Sequence, residues 1–176
     1  DPLTSDLREL VVLCDGLKQI DFVMSMVIPT DYPRSVADRL QMEAMLDYTT
    51  KPIVAVSFSF QGTKDIIQMA EIAAGGENAL RERPFVVHYI QPVRALVHNR
   101  DTVDKLIHVA QKGLPCVYLT SAIMGMTSPI TPAAYQAMGA AGQLAAIVLA
   151  QLIREGTPIV VRGGRVPMVD MKTMLA

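Results

Sequence analysis

Tryptophan is absent, and tyrosine and phenylalanine bring the aromatic share to only 5%. Aromatics are scarce, so aliphatic side chains are expected to supply most of the interior. Cysteine is almost as scarce. Cys14 and Cys116 are the only two thiols. Thiols so far apart make no disulfide framework and read as reduced residues, which leads us to expect a cytoplasmic protein. The three histidines, His88, His98 and His108, show no H-x-x-H spacing, and no C-x-x-C occurs, so a structural zinc site is not expected. Lysine and arginine number 16 against 17 aspartates and glutamates, giving a net charge of −1. With no basic run, the electrostatic footprint of a nucleic-acid binder is missing. Neither a G-x-G-x-x-G after the first apolar run nor a P-loop is present, which weakens a nucleotide-binding reading.

What is present is aliphatic bulk. Hydrophobic residues make up 51% of 176 positions, enough for one domain with a large core. The window Leu114 to Ile153 carries no charge, and 133–153 is long enough to cross a bilayer. We read it as a buried helix against a sheet or a subunit interface, not as a membrane span. It is Ala-rich rather than Leu-rich, it has no flanking Trp or Lys/Arg belt, and Gln136, Gln143 and Gln151 fall near one helical stripe.

Five β-branched runs recur: "FVMSMVI" (22–28), "PIVAVSF" (52–58), "FVVHYI" (85–90), "PCVYLT" (115–120) and "PIVVRG" (158–163). They are continuous rather than alternating, the pattern of strands covered on both faces. Helical patterns lie at 6–20, 35–48, 64–74, 102–112 and 133–155, with Ser35, Thr63, Asp101 and Thr131 as expected N-caps. "AAGG", "KGLP" and "EGTP" read as helix stops. Strand starts recur at about 30 residues, the length of a βα unit. Alternation of β and α predicts a parallel sheet, either doubly wound or part of a (β/α)8 barrel. A whole barrel needs about 250 residues. The expectation is an α/β fold: five consecutive βα units of a TIM barrel, one partial domain over 1–176. The start at Asp1 and the finish at "MKTMLA" fit a segment of a longer chain.

In either architecture chemistry sits at the strand C-terminal ends. The residues there are Asp31 and Tyr32; Ser57, Ser59, Phe60 and Gln61; His88, Tyr89, Gln91, Arg94 and His98; the loop "MGMTSPITP" with Gly125 and Thr127; and Arg162, Gly163 and Asp170. Each has a plain alternative. Asp31 suits a turn, His98 a helix start, His88 a satisfied core position, and Gly163-Gly164 a tight turn. Tyr32, Phe58, Phe60, Tyr89 and Tyr118 gather near strand ends. Aromatic faces with few charges suit a quaternary ammonium, with Arg94 and Arg162 placed for a carboxylate. Packing beneath the loops explains the same aromatics, and spacing alone favours it.

The segments "PVRALVHN", "MGMTSPITP" and "VPMVDMKT", within a likeness that runs along essentially the whole chain, resemble the trimethylamine methyltransferase family, including the members that demethylate glycine betaine. The resemblance implies a TIM barrel in a much longer protein. It implies transfer of a methyl group from an amine to the Co(I) corrinoid of a separate carrier protein, with no cofactor held tightly by this chain. Expected partners are a small quaternary amine and that carrier, with neither nucleic acid nor membrane; self-association is also expected. Methylamine metabolism of the kind that feeds methanogenesis is the implied setting. Substrate contacts are expected from Asp31, Tyr32, Phe60, Gln61, Tyr89, His98, Gly125, Thr127, Arg162 and Gly163. Pyrrolysine-containing members carry that residue near the position of Arg162 to Arg165. None is written here, which directs the expectation away from trimethylamine and toward betaines. Gln143 and Met174 stand where the family pattern has Glu and Gly. Competing readings are a non-catalytic relative that only binds quaternary ammonium, and an aldolase- or lyase-type barrel. The last would need a strand-end Lys or a carboxylate metal set, which Lys51 and Lys64 do not supply.

Overall fold

The computed structural model describes residues 1–161, 170, 172 and 173. The elements run α1 (Thr4–Gly16), β1 (Val23–Met24), a 3-10 turn (Arg34–Val36), α2 (Ala37–Tyr48), β2 (Ile53–Val56), α3 (Phe60–Ala74), α4 (Glu77–Glu82), β3 (Val86–Ile90), α5 (Arg100–Lys112), β4 (Cys116–Tyr118), α6 (Pro132–Ile153) and β5 (Ile159–Val161).

The five strands form one parallel sheet in the order β1-β2-β3-β4-β5. Register pairs Ile53 with Val86, His88 with Cys116, and Tyr118 with Val161. The helices form a single row, α1 on α2, α2 on α3, α3 on α5 and α5 on α6. Parallel crossovers of one hand that never reverse direction put every helix on the same face. A doubly wound sheet would reverse its strand order and carry helices on both faces.

Burial follows from this one-sided cover. Ile53, Ala55, Val86, His88, Ile90, Cys116 and Tyr118 face the helices and are buried. Their neighbours Val54, Val56, Val87, Tyr89 and Val117 are only half-buried, and Val160 is exposed. The apolar runs suggested cover on both faces; among the described residues only one face has it. The core is completed by helix stripes such as Leu7, Val11 and Cys14 of α1, and Ile66, Ile67 and Ala70 of α3. Both cysteines are free and buried. Burial pushes the Cys116 thiol up to about 12, which makes it an inert packing group.

Several boundaries differ from expectation. β1 is two residues long, not seven. Beyond Met24 the chain leaves the ladder, and the Val27 carbonyl accepts a hydrogen bond from Gln41 Nε2 at 2.5 Å in place of a strand partner. After "AAGG" a short helix, α4, precedes β3. Of the four expected N-caps only Thr131 holds the position, and its side chain makes no capping bond there. Ser35 lies in the 3-10 turn, and α3 and α5 begin earlier, after Ser59 and Asn99. Ser59 is a true side-chain cap, its Oγ accepting from the Gly62 amide at 3.0 Å. Gly75 and Gly113 close α3 and α5 in the left-handed conformation, as the stop signals suggested.

Helix α6 is long and apolar enough to cross a membrane by length and composition. It packs through small residues, Gly142, Ala146 and Ala150, while Leu144, Val148 and Leu152 point outward, the last 80% exposed.

Candidate functional site

Helices α3, α5 and α6 begin where β2, β3 and β4 end, so their first turns and the preceding loops share one end of the sheet. Acidic side chains reach across loops to cap helices other than their own. Asp31, beyond β1, accepts from the Thr4 amide and hydroxyl at 3.0 Å each, holding the start of α1. Asp101 of α5 accepts from the Phe60 amide at 2.7 Å, holding the start of α3. Asp38 of α2 is 1% exposed and accepts from the Phe58 amide at 2.9 Å. It pairs at 2.9 Å with Arg39, which reaches Asp65 at 2.6 Å. The Arg39 guanidinium holds the Asp65 carboxyl below the ordinary carboxylate range, helped by the Gln61 amide at 2.7 Å.

Between the tips of β2 and β3 lies a cleft of about 370 Å³, walled by Val56, Ser57, Tyr89, Gln91, Pro92 and Lys105, among others. The Lys105 ammonium reaches it from α5. It donates to Asp101 at 2.8 Å and to the Ser57 carbonyl at 3.1 Å, and the residue is only 8% exposed. Tyr89 projects on the uncovered side of the sheet, and its hydroxyl donates to Gln91 Oε1 at 2.6 Å. A cleft of about 360 Å³ at the opposite end of the sheet, around Thr49 to Ile53, Pro84 and Phe85, is lined by turn residues.

Beside the first cleft, His98 Nδ1 meets the Tyr118 hydroxyl at 2.5 Å. The next loop, 121–131, folds on itself. Thr127 Oγ1 accepts from the Ile123 amide at 2.8 Å, and Ser128 Oγ donates to the Ile123 carbonyl at 3.1 Å. Gly125 takes φ +80°, a conformation that favours glycine. A small second core of Ala95, Ala122, Met124 and Tyr135 joins this loop to the one after β3. Gly142 makes the join possible: a Cβ there would stand 1.9 Å from the Ala95 carbonyl oxygen. One turn earlier, Thr120 donates to the Gly139 carbonyl at 3.1 Å.

Eight of the ten expected contact residues are among those described, and they share an end of the sheet without forming one constellation. Asp31, Gln61 and Thr127 are engaged in local structure. Phe60 is turned toward the helix row, with the Lys64 ammonium 4.7 Å from its ring centroid and His108 against its edge. Tyr32 is half exposed. Tyr89 faces the uncovered side, and His98 is tied to Tyr118. Arg162 and Gly163 lie outside the described residues. His88 is buried in the core, as its strand position suggested, but its Nε2 has no partner among the described residues, so it is not the satisfied histidine expected there. Lys105 and Asp38 were missed, yet each had a signal. Both occupy positions on the apolar stripe of an amphipathic helix, where a charge needs a reason.

A family model described as trimethylamine methyltransferase (MTTB) matches residues 1–174. Trimethylamine methyltransferase MttB of Desulfitobacterium hafniense (strain DSM 10664 / DCB-2) is 33% identical over 171 residues, 97% of this chain and 34% of that protein. Glycine betaine methyltransferase of Desulfitobacterium hafniense (strain Y51) is 25% identical over 136 residues, 77% of this chain and 28% of that protein. The chain spans about a third of the length of these curated relatives. A hyperthermophilic β-glucosidase structure overlaps 98% of this chain and 57% of its own at 10% identity, with a TM-score of 0.40, too loose a likeness to bear on the fold.

Proposed function

The chain belongs to the trimethylamine methyltransferase family, and from that premise we propose that the polypeptide carrying it moves a methyl group from a quaternary or tertiary amine to the Co(I) corrinoid of a carrier protein. The observation that carries this reading is the match along 1–174. A glycine betaine methyltransferase stands among the relatives, though at 25% identity against 33% for the trimethylamine methyltransferase, so it is the sequence expectation of no pyrrolysine that directs the proposal to a quaternary amine such as glycine betaine.

The sheet, on this reading, is five consecutive strands of a (β/α)8 barrel. Sequential strand order and the one-sided helix row support it, as does the half-buried face of Val54, Val56, Val87 and Tyr89, which would line the interior. The loops after β2, β3 and β4 would then form part of the mouth where amine and corrinoid meet.

The chemistry asks little of the protein in proton transfer. The acceptor supplies the nucleophile, and a quaternary nitrogen leaves as a neutral amine. The remaining work is to hold the methyl carbon in line and keep water away. An uncharged loop whose Thr127 and Ser128 hydroxyls are committed to its own backbone suits that task. Thr127 and Ser128 brace 121–131 as a firm neutral segment at the same end of the sheet. The free, buried thiols fit the cytoplasmic setting of a reduced cobalt acceptor. The outward Leu144, Val148 and Leu152 fit self-association.

The test is a spectroscopic assay with the full-length polypeptide and cob(I)alamin, offering glycine betaine, proline betaine, carnitine and trimethylamine in turn. Loss of the Co(I) absorbance with one amine supports the reading and names the donor. A folded protein that consumes Co(I) with none of them overturns it for these donors and favours a relative that only binds quaternary ammonium.

A further inference from the structure

We propose that Lys105 anchors the carboxylate of a zwitterionic amine, which makes the cleft between β2 and β3 a carboxylate subsite. The inference rests on the amine reading above and deepens it: the substrate class becomes carboxylated quaternary amines rather than simple methylamines.

An ammonium has three donors. Lys105 uses one on Asp101 and one on the Ser57 carbonyl. The third has no acceptor among the described residues, although the side chain is only 10% exposed and lines the cleft. A buried lysine with a spare donor is costly unless a ligand or water completes it. Asp101 is itself fixed, because its other oxygen accepts from the Phe60 amide at 2.7 Å. The ammonium is therefore held in place rather than searching.

The surroundings match a small zwitterion. Ser57 and Gln91 give the cleft neutral polar edges, while Val56, Ile90 and Pro92 give it apolar sides suited to methyl-bearing carbon. Tyr89 stands on the side toward the uncovered sheet face, where a trimethylammonium head would extend from a carboxylate held at Lys105. The Asp101 carboxylate partly neutralises Lys105, so binding would rely on a directed charge-assisted hydrogen bond and still permit release. Arg94, which the sequence offered for this task, is exposed and closes a small turn with Val97 instead.

Calorimetric titration of the full-length polypeptide separates the two ends of the ligand. Glycine betaine carries both groups, tetramethylammonium only the cation, and acetate only the carboxylate. Lys105→Gln keeps donors for Asp101 and Ser57 but removes the charge. It should weaken glycine betaine about 10- to 100-fold and abolish acetate binding. Tetramethylammonium should hold within about 2-fold, since its interaction involves no carboxylate. Equal weakening of both cations, or no weakening of glycine betaine, overturns the assignment. If the wild type binds neither cation, the amine reading falls. Lys105 is then judged on acetate alone: binding lost in Lys105→Gln keeps a carboxylate site, and binding unaffected removes it. A second measurement needs no variant. Reductive methylation of Lys105 by formaldehyde with cyanoborohydride as the hydride donor, mapped by mass spectrometry, should slow with glycine betaine or acetate and not with tetramethylammonium. An unchanged rate with all three overturns the proposal.

Discussion

Tyr118 is buried, and its hydroxyl lies 2.5 Å from His98 Nδ1, with the two rings stacked at 21° and centroids 5.8 Å apart. The pair ties the end of β4 to the residue before the α5 cap, so the loop after β3 is fastened at its far end to a core side chain. Burial, with a smaller effect from nearby Cys116, pushes the Tyr118 phenol up to about 12. Because the folded state holds the neutral phenol, this stabilisation is complete below the ordinary value near 10. It is lost as pH rises through about 12. Spectroscopic titration at 295 nm should show one tyrosine that ionises late, and Tyr118→Phe should remove it. The same variant should cost about 1 kcal/mol in urea unfolding by losing the hydrogen bond to His98.

His88 gives the acid side of the profile. Burial first, and the nearby His108 second, lower it from 6.5 to about 4. A depressed histidine supplies stability above its unfolded value, and that stability is lost as pH falls from about 6.5 through about 4. Its Nε2 has no partner among the described residues. His88→Leu should therefore flatten the decline in unfolding free energy between those pH values. A decline as steep as that of the wild type would show that another group titrates.

Two glycines one turn apart on α6 should respond in opposite directions. At Gly142 a new Cβ would meet the Ala95 carbonyl oxygen at 1.9 Å, so Gly142→Ala should cost about 1 to 3 kcal/mol. At Gly139 the nearest atom is Thr120 Oγ1 at 3.8 Å, ordinary contact, so Gly139→Ala should stabilise by up to about 1 kcal/mol through helix propensity. Melting temperatures of the two variants, measured side by side, decide it.

Asp38 couples α2 to the start of α3 through an ion pair and a backbone cap. Asp38→Ala would leave Arg39 short of one partner and the Phe58 amide unbonded, at a cost of about 3 kcal/mol. Asp65→Ala should cost less, because its side chain is 35% exposed and water replaces it. Denaturant midpoints for the two variants should preserve that order.

The alternation of strands and helices was legible because β-branched runs and helix stripes differ in period, and stops such as "KGLP" carry the glycine that a left-handed cap requires. The same local logic misplaced the helix starts. Asp31 and Asp101 cap helices that are neighbours in space, and no dipeptide pattern reports a partner 27 or 41 residues away. The candidate site was legible as a place rather than as a set of contacts. Strand-end positions fall at the end of the sheet that holds the cleft between β2 and β3. Side-chain direction did not follow from position, which is why Phe60 turned toward Lys64 and His108, and why Lys105, in mid-helix, was passed over.

The contact between Gly142 and Ala95 sets the height at which the loop after β3 rests above the sheet. That loop contributes the cleft wall at Pro92 and runs on to His98. A single methyl group on α6 would lift it, and that wall of the cleft with it. The scale on which this end of the molecule can be retuned is therefore one carbon atom, placed on a helix that itself contributes nothing to the wall.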